Sequence, residues 1–563
     1  MRKKEVLKII FLTLVLTSLG YFFSYRDLDP DFGWHLKTGE LILERGVPKV
    51  DWYSFTMPDF PWINHEWLTD ILIYKLYSLF GYKATLLFFL ILVSLAFLIF
   101  LESRLFWYYF GISLLGFLAC SGFLGARPQL ITILFIALLW KGIRKFLDSD
   151  RKLIYFCPFL FLFWVNLHGG FSAGIFLLFL VLILELFKKS SFFKKINSRY
   201  FPQQKIGEQP LSKIKTLFFL FLFSFLATLI NPYGLRIYEE VWRSAGDYFL
   251  TFHIAEWLPL FFGSFSLSAI LFIAFFLSLC FLFHKKIDPT YLIVLSVFFF
   301  FALFHQRHFF IFIILSLPLF AELLFYFWKE INLALSKRQT VTNFHFKEKK
   351  EQKALFKLLY NKKQFRNVII VLFFVVLVFD FHPFLKEAAK KERLLDYPSE
   401  GAISYLATLP LSENLLNEYG WGGYLIWKLP QRKLFIDGRM PSWRKGDKFV
   451  FGDFIKIMEA EGNFSELLEK YKIKIILLKK ECKEKFLEKE KQQKERQTCS
   501  LFWGLISCQK GKEKIKSFFL KHPKLFQLLG LNLNKRNLYE ELIKRNWKEV
   551  YEDETVIILR KTN

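Results

Sequence analysis

The chain has 563 residues, of which 54% are hydrophobic and 20% aromatic, and its 73 phenylalanines far outnumber its 28 glycines and 18 prolines. This composition excludes disordered, collagen-like and disulfide-scaffold proteins. The formal net charge of +27 could indicate a nucleic-acid partner. However, lysine and arginine concentrate in the links between apolar runs and in the carboxy-terminal third, so most of the charge indicates membrane topology and we expect no nucleic-acid partner.

Apolar runs recur between positions 8 and 381, each about 18 to 20 residues long, which is the helix length that crosses a hydrocarbon core about 30 Å thick. The first run, 6–25, follows a basic amino terminus and precedes no small-residue cleavage site, which indicates an uncleaved span. The remaining predicted spans bring the total to eleven, at 84–102, 107–124, 130–147, 153–167, 171–187, 216–231, 266–283, 289–305, 308–328 and 367–381.

The distribution of cations between the links predicts the orientation of the chain. With the amino terminus in the cytoplasm, the inner links 188–215 and 329–366 contain eight and eleven cations, whereas the four later outer links contain four arginines and no lysine. An odd number of spans then places the residues after position 381 outside. We therefore predict a multi-pass protein of the plasma (inner) membrane whose carboxy-terminal part is extracytoplasmic.

The carboxy-terminal part alternates apolar stretches, such as 472–478 and 555–559, with charged segments of helical composition, which predicts a small α/β domain. The predicted fold is an all-α polytopic membrane domain of about eleven transmembrane helices, 1–381, followed by an extracytoplasmic α/β domain, 382–563. A first outer loop, 26–83, belongs to the membrane domain in this prediction.

The first outer loop contains the earliest candidate site, Asp29, Asp31 and His35. If a helix starts near Asp31, His35 lies on the same face one turn later, with Asp29 at the helix entrance. Two carboxylates and an imidazole can hold a divalent cation or act as a general base. Alternatively, Asp31 only caps the helix and His35 packs beside Trp34.

His65 and Glu66 precede an amphipathic stretch, 67–80, that we expect to lie on the membrane surface. The functional interpretation makes both residues part of a site above the bilayer. The alternative is a membrane anchor formed by Trp62 and Trp67, with Glu66 as a helix cap.

Each later outer link carries a compact polar motif. An arginine on a lysine-poor face offers a phosphate a bidentate partner, although a single arginine can equally well snorkel to the interface. In the His168-Gly169-Gly170 turn, the glycines could alternatively serve close helix packing alone. The candidate substrate-binding residues of these links are Arg307, with Arg127 and Arg236 next, His168 and His308.

In the carboxy-terminal part, glycines alternate with aromatic residues around Trp421 and Tyr424, upstream of Asp437-Gly438-Arg439. Such a segment could present a surface on which a sugar ring stacks. The alternative is a structural corner.

These motifs together resemble a known group of enzymes. The segment from Asp29 to Leu36, followed by Gly46-Val47-Pro48 and Asp51, resembles the first outer loop of polytopic GT-C-type glycosyltransferases, including the oligosaccharyltransferase catalytic subunit. The fuller set is similar to a broad group of bacterial membrane proteins described as glycosyltransferase-like, over most of the chain.

The resemblance implies transfer of a sugar from a polyprenyl-phosphate donor to a glycan, lipid or protein acceptor on the outer face, within membrane lipids. Asp29 matches the loop aspartate that serves as base or as ligand of a divalent cation such as Mg²⁺ or Mn²⁺, with Asp31 as its close alternate. The segment Trp421 to Tyr424 is loosely similar to the acceptor motif of oligosaccharyltransferases but lacks its central aspartate, so we expect no peptide N-glycosylation.

A transporter of lipid-linked sugars, or a non-catalytic assembly protein of the cell envelope, is the alternative function. A transporter should carry polar groups at mid-span depth, where its ligand crosses. The spans here are almost entirely Phe, Leu, Ile and Val, with polar groups at their outer ends. This distribution favours an enzyme with a one-sided site.

Overall fold

The computed structural model describes residues 3–24, 28–101, 105–149, 152–200, 209–260, 266–341, 397–487 and 536–561. The chain forms two compact units. The helical unit comprises Met1–Asp29 and Asn64–Glu392, and the mixed unit comprises Pro30–Ile63 and Arg393–Asn563. The predicted division at 381/382 therefore differs from the structure in the first outer loop, because 30–63 groups with the carboxy-terminal residues.

Thirteen helices of the described residues, long apolar ones and a few short ones, form the helical unit. Their bounds, in chain order, are α1 Lys3–Ser24, α3 Trp67–Leu98, α4 Phe106–Ala119, α5 Gln129–Ser149, α6 Cys157–Leu167, α7 Phe171–Lys188, α8 Ser191–Tyr200, α9 Leu211–Ala227, α10 Ile237–Ala245, α11 Tyr248–His253, α12 Leu267–Leu282, α13 Pro289–Phe304 and α14 Phe309–Val341. The helix α2, Phe32–Arg45, belongs to the mixed unit.

Four helical segments among the described residues are long and apolar enough to cross a membrane, namely Val6–Ser24, Trp67–Leu98, Phe171–Lys188 and Gln306–Ile331. Four shorter apolar segments accompany them, Phe106–Ala119, Lys152–Leu167, Leu267–Leu282 and Pro289–Phe304. These are the helices of a membrane protein, whereas the total of eleven spans stays a prediction. The predicted span 367–381 lies outside the described residues.

Helices α12 and α13 begin at side-chain caps that the sequence supplies. Asp288 accepts a hydrogen bond from Thr290 N, with Pro289 at the first helical position, and Ser266 accepts one from Ala269 N in the same way. The amphipathic stretch 67–80 is continuous with the apolar part of α3, and Gly81, with φ of 76°, forms the kink between them. Only glycine adopts this backbone conformation without strain.

A four-stranded sheet and short helices form the mixed unit. Its elements after α2 are α15 Glu400–Thr408, β1 Asn414–Leu416, α16 Gly422–Lys428, α17 Val450–Met458, α18 Phe464–Lys470, β2 Ile473–Lys479, α19 Leu538–Ile543, β3 Trp547–Glu552 and β4 Val556–Lys561. The strand order is β1-β2-β4-β3, with β1 parallel to β2 and the other neighbours antiparallel. The inner strand β4 is apolar from Val556 to Leu559 and completely buried there. The small carboxy-terminal sheet agrees with the α/β composition predicted for this part of the chain.

Helix α2 packs directly on α16 through two glycines. A Cβ atom on Gly33 would overlap the carbonyl oxygen of Gly423, and one on Gly423 would overlap the carbonyl oxygen of Pro30. Any larger side chain would force these helices apart. Gly422 and Gly423, which follow Trp421, therefore serve close backbone packing within the mixed unit.

Candidate functional site

Arg127 connects two carboxylates at one end of the helical unit. Its Nε is paired with Asp29 Oδ2, and its Nη1 donates to Glu256 Oε1 at 2.6 Å. The Asp29 side chain is 9% exposed, compared with 20% for Arg127 and 34% for Glu256. Residues of the predicted first outer loop and of two predicted later outer links thus meet here.

Glu66 and His168 form a second polar cluster at the ends of α3 and α6. His168 Nε2 lies 3.3 Å from Glu66 Oε1, and both side chains are at most 10% exposed. The Gly170 backbone N–H donates to His168 Nδ1 at 2.9 Å, so this nitrogen is an acceptor and carries no proton. The proton of the ring is therefore on Nε2, directed at the carboxylate of Glu66.

Thr132 completes this arrangement from α5. Its Oγ1 lies 2.7 Å from His168 Nδ1 and accepts a hydrogen bond from Trp164 Nε1 at 2.9 Å. Because Nδ1 is an acceptor, the Thr132 hydroxyl donates to it. A Cβ atom on Gly170 would overlap Thr132 Oγ1, so a glycine is required for this approach. A chain of hydrogen bonds therefore fixes the orientation of His168.

His65 lies on the other side of the same carboxylate. Its Nε2 is 3.7 Å from Glu66 Oε1, and its ring centroid is 6.3 Å from that of His168. A Cβ atom on Gly169 would lie 2.8 Å from His65 Cδ2. The absence of side chains at Gly169 and Gly170 thus leaves room for both histidines to approach Glu66. The role of these glycines goes beyond the close helix packing that was the alternative from sequence.

Arg307 lies beside Trp257 at the same end of the unit. Its guanidinium carbon is 4.7 Å from the Trp257 ring centroid, the geometry of a cation–π contact. His305 bonds to the Trp257 carbonyl through Nδ1 at 2.9 Å, and the His308 ring centroid is 6.0 Å from that of His305. This histidine–arginine turn and Glu256 therefore belong to one connected surface.

Arg236 is separate from these clusters. Its side chain is 52% exposed and its Nε lies 3.5 Å from Glu239 Oε2. Among the predicted arginines of the outer links, Arg236 thus has the least enclosed surroundings.

Asp70 is a buried carboxylate that sequence reasoning missed. It is 0% exposed on α3 and accepts a hydrogen bond from Asn64 Nδ2 at 2.7 Å. The Tyr233 side chain bonds to the backbone of Asn64. Burial raises the pKa of the Tyr233 phenol, which therefore stays neutral. The sequence offered one signal for this contact: Asn64 and Asp70 lie on either side of the start of α3 at Trp67.

Asp31, His35, Trp421 and Tyr424 lie in the mixed unit. Trp34 Nε1 donates to Asp31 Oδ1 at 2.9 Å, and the Trp34 ring centroid is 3.6 Å from that of His35, which is 3% exposed. This geometry fits the alternative in which His35 packs beside Trp34, although the Asp31 side chain does not cap α2. The exposed fractions of Trp421 and Tyr424 are only 2% and 9%, so the structural corner replaces the predicted stacking surface for a sugar.

The predicted metal pair is divided between the units, with Asp29 in the helical unit and Asp31 in the mixed unit. Within the described part of the chain, no group of three or more His, Cys, Asp or Glu side chains is arranged to hold a metal ion. The Asp29 carboxylate instead pairs with a guanidinium. A divalent cation at Asp29 stays a prediction.

Comparison with known proteins gave matches among solved structures. The oligosaccharyltransferase of Archaeoglobus fulgidus in the apo form matches 85% of this chain and 70% of its own, with 12% identity and a TM-score of 0.47. ArnT from Cupriavidus metallidurans bound to undecaprenyl phosphate matches 99% of this chain and 98% of its own, with 12% identity and a TM-score of 0.44. No protein-family model and no curated protein matches the chain.

The matched structures include an oligosaccharyltransferase, one of the enzymes that the loop motifs resemble. The identities of 12% describe a distant likeness of fold. The proposed function therefore rests on the side chains of this chain.

Proposed function

We propose that the chain is a membrane glycosyltransferase that moves a sugar from a polyprenyl-phosphate donor to an acceptor on the outer face of the membrane. The observation that carries this proposal is the Asp29–Arg127–Glu256 cluster at one end of the helical unit. Ionisable side chains buried inside a membrane protein are rare and mark functional sites, and here the buried Asp29 is paired with charged groups from two other links of the chain.

Asp29 is the proposed general base. It accepts the proton of the acceptor hydroxyl as that oxygen forms a bond to the anomeric carbon of the donor sugar. The bond between the anomeric carbon and the phosphate oxygen breaks, and the polyprenyl phosphate leaves with the electron pair. Arg127 holds the Asp29 carboxylate in place, a positioning role that replaces the phosphate contact predicted from sequence.

Arg307 is the proposed partner of the leaving phosphate. Its guanidinium carbon is 4.7 Å from the Trp257 ring centroid, so stacking fixes the plane of a group that offers two parallel N–H donors to a phosphate. Such a preorganised cation stabilises the negative charge that develops on the leaving group. His308 and His305 border the same position.

Glu66 is the second proposed carboxylate of the site. The Nε2–H of His168 is directed at it, and His65 lies 3.7 Å away. These contacts suit a carboxylate that binds a hydroxyl of the sugar or acceptor. A divalent cation, which the sequence left open, is not required by any of these steps.

The test is sugar release by the purified full-length protein from a panel of radiolabelled polyprenyl-phosphate sugars. We expect turnover of one donor, abolished by Asp29→Asn and by Arg307→Ala. Matched controls are Asp59→Asn, at an exposed position of the first outer loop, and Arg243→Ala, which pairs with Glu240 on α10. Both controls should retain activity.

Two results would contradict the proposal. An Asp29→Asn protein that folds and turns over the donor would transfer the base role to Glu66. Saturable donor binding without turnover, in the presence or absence of Mg²⁺ or Mn²⁺, would favour the lipid-linked sugar transporter or assembly protein.

A further inference from the structure

Two asparagines of the predicted outer links, Asn64 and Asn166, lie close to Glu66 in the chain or in space and have no part in the chemistry described above. Both are buried, Asn64 just before α3 and Asn166 in the last turn of α6. A buried carboxamide is costly unless its hydrogen bonds are made. The partners of these two side chains therefore show which parts of the helical unit they hold in place.

Asn64 holds the backbone of Glu66. Its Oδ1 accepts a hydrogen bond from the Glu66 backbone N–H at 3.1 Å, and its Nδ2 donates to Asp70 Oδ2 at 2.7 Å. A backbone N–H can only donate, so the carboxamide must direct its oxygen to Glu66 and its nitrogen to Asp70. Asp70 is completely buried in the first turn of α3. A buried carboxyl group therefore orients the side chain that holds Glu66.

Asn166 joins three parts of the helical unit. Its Oδ1 accepts a hydrogen bond from Trp67 Nε1 at 2.9 Å. Its Nδ2 donates to the Leu162 carbonyl at 2.8 Å and to the Ile230 carbonyl at 3.0 Å. An indole nitrogen only donates and a carbonyl only accepts, so the orientation of this carboxamide is also determined. The start of α3, the end of α6 and the residues after α9 are thus held together by one side chain.

The same helix ends carry Glu66 and His168. A second bond joins them, from Thr69 Oγ1 on α3 to the Leu167 carbonyl at the end of α6. Glu66 directly precedes α3 and His168 directly follows α6, so the bonds between these two helix ends also fix the backbones of both residues. The distance of 3.3 Å between Glu66 Oε1 and His168 Nε2 depends on these bonds.

We propose that Asn64 and Asn166 are positioning residues that hold Glu66 against His168 during sugar transfer. Asn64 fixes the backbone of the carboxylate, and Asn166 fixes the helix end that presents the imidazole to it. The proposal rests on the proposed function in one respect, the role of Glu66 as the second carboxylate of the site. A carboxylate that is already held in position needs no reorganisation when it binds a hydroxyl group.

A double-mutant cycle on the purified full-length protein tests this proposal, with sugar transfer as the readout. We expect Asn166→Ala to lower kcat/KM about 10- to 100-fold, because Glu66 and His168 lose their fixed separation. In the Glu66→Gln background the same substitution should lower kcat/KM less than about twofold further, since the carboxylate that it positions is absent. Asn64→Ala should behave in the same way, and it covers the case in which Asn166→Ala does not fold.

The matched control is Asn537→Ala. The Asn537 side chain donates to the Cys482 carbonyl and accepts from the Glu540 backbone N–H, but it caps α19 in the mixed unit. This variant should keep the activity of its parent in both backgrounds. Equal losses from Asn166→Ala with and without Glu66→Gln would overturn the proposal, because the asparagine would then act on helix packing alone.

A second measurement needs no sugar donor. Diethylpyrocarbonate acylates accessible imidazole rings, and mass spectrometry of the peptides reports the rate at each histidine. His168 is buried against Glu66, so we expect slow labelling in the unmodified chain and in Asn537→Ala, and faster labelling in Asn166→Ala and Asn64→Ala. Unchanged labelling in both of the latter variants would overturn the proposal. If the unmodified chain transfers no sugar, the proposed function fails, and the labelling rates still decide whether the asparagines hold this pair.

Discussion

Arg439 donates through Nη2 to Asp51 Oδ1 at 2.8 Å, a contact between residues 388 positions apart in the chain. Its guanidinium also bonds to both oxygens of Asp437 and lies 4.3 Å from the Trp62 ring centroid. Burial lowers the pKa of Arg439, but Asp437 and Asp51 outweigh it and raise the pKa above its ordinary value. This cluster joins the first outer loop to the carboxy-terminal residues inside the mixed unit.

We predict that Asp51→Ala destabilises the mixed unit by about 3 to 5 kcal/mol, because a buried guanidinium loses one of its two carboxylates. The substitution also removes the acceptor for the backbone N–H groups of Tyr53 and Ser54. Denaturant unfolding of the full-length protein, followed by tryptophan fluorescence, measures the change. The control is Lys470→Ala, which removes a half-exposed partner of Asp453 and should cost less than about 1 kcal/mol. Equal losses in both variants would contradict the prediction.

Asp553 makes the stability of the mixed unit dependent on acid pH. Burial raises the pKa of its carboxyl, but hydrogen bonds from Ser399 Oγ and from the Thr555 and Val556 backbone N–H groups outweigh burial and lower the pKa to about 2. The unfolded value is about 3.9. The stabilisation of the folded state by the charged Asp553 carboxylate is therefore fully present above about pH 4 and is lost as the pH falls toward 2.

We predict that Asp553→Asn lowers the stability of the mixed unit at neutral pH and flattens its decline between about pH 4 and pH 2. Unfolding midpoints across that range measure the effect. Glu554→Gln, which changes an exposed neighbouring carboxylate, is the control and should keep the original pH profile. An Asp553→Asn profile parallel to that of the unmodified chain would assign the acid sensitivity to other groups.

Local sequence patterns predicted the helices well where a cap and an apolar run coincide. The predicted spans 171–187 and 289–305 correspond to Phe171–Lys188 and Pro289–Phe304. The grouping of 30–63 with the carboxy-terminal residues was not predicted, because a contact between Asp51 and Arg439 leaves no periodic signal in either segment. Thr132 and Asp70 were missed for the same reason: each is a single polar residue in an apolar helix, and its partners lie in other parts of the chain.

A buried ion cluster should also control the stability of the helical unit. Lys188 Nζ donates to Glu185 Oε1 at 2.9 Å and to Asp288 Oδ1 at 3.0 Å, and the exposed fractions of Lys188 and Glu185 are 3% and 1%. Glu185 Oε2 has no hydrogen-bond partner among the described residues. Glu185 Oε1 also accepts a hydrogen bond from the Thr290 hydroxyl at 2.9 Å, but Lys188 is the cation that balances its charge.

We predict that Lys188→Met destabilises the helical unit by about 3 to 5 kcal/mol, because it leaves Glu185 charged and uncompensated. The double variant with Glu185→Leu should recover most of this loss, since an apolar pair replaces the ion pair. Thermal unfolding in detergent measures both. A double variant less stable than Lys188→Met would show that the two side chains do not act as a pair.

Thr132 offers a test of the hydrogen-bond chain that orients His168. Thr132→Val is nearly isosteric but removes the hydroxyl that donates to His168 Nδ1 and accepts from Trp164 Nε1. The imidazole then loses one of the two contacts that keep Nε2–H directed at Glu66. We expect sugar transfer to fall about 10- to 100-fold, the usual effect of removing a residue that orients a functional histidine.

The matched control is Thr216→Val on α9, where the hydroxyl is exposed and bonds only to the Ser212 carbonyl among the described residues. Loss of activity with an unchanged melting temperature in Thr132→Val, and no loss in Thr216→Val, would assign Thr132 a positioning role. Thr132→Ser should restore activity, because serine supplies the same hydroxyl. If Thr132→Ser and Thr132→Val were equally impaired, the methyl group, and hence helix packing, would be the important feature of this position.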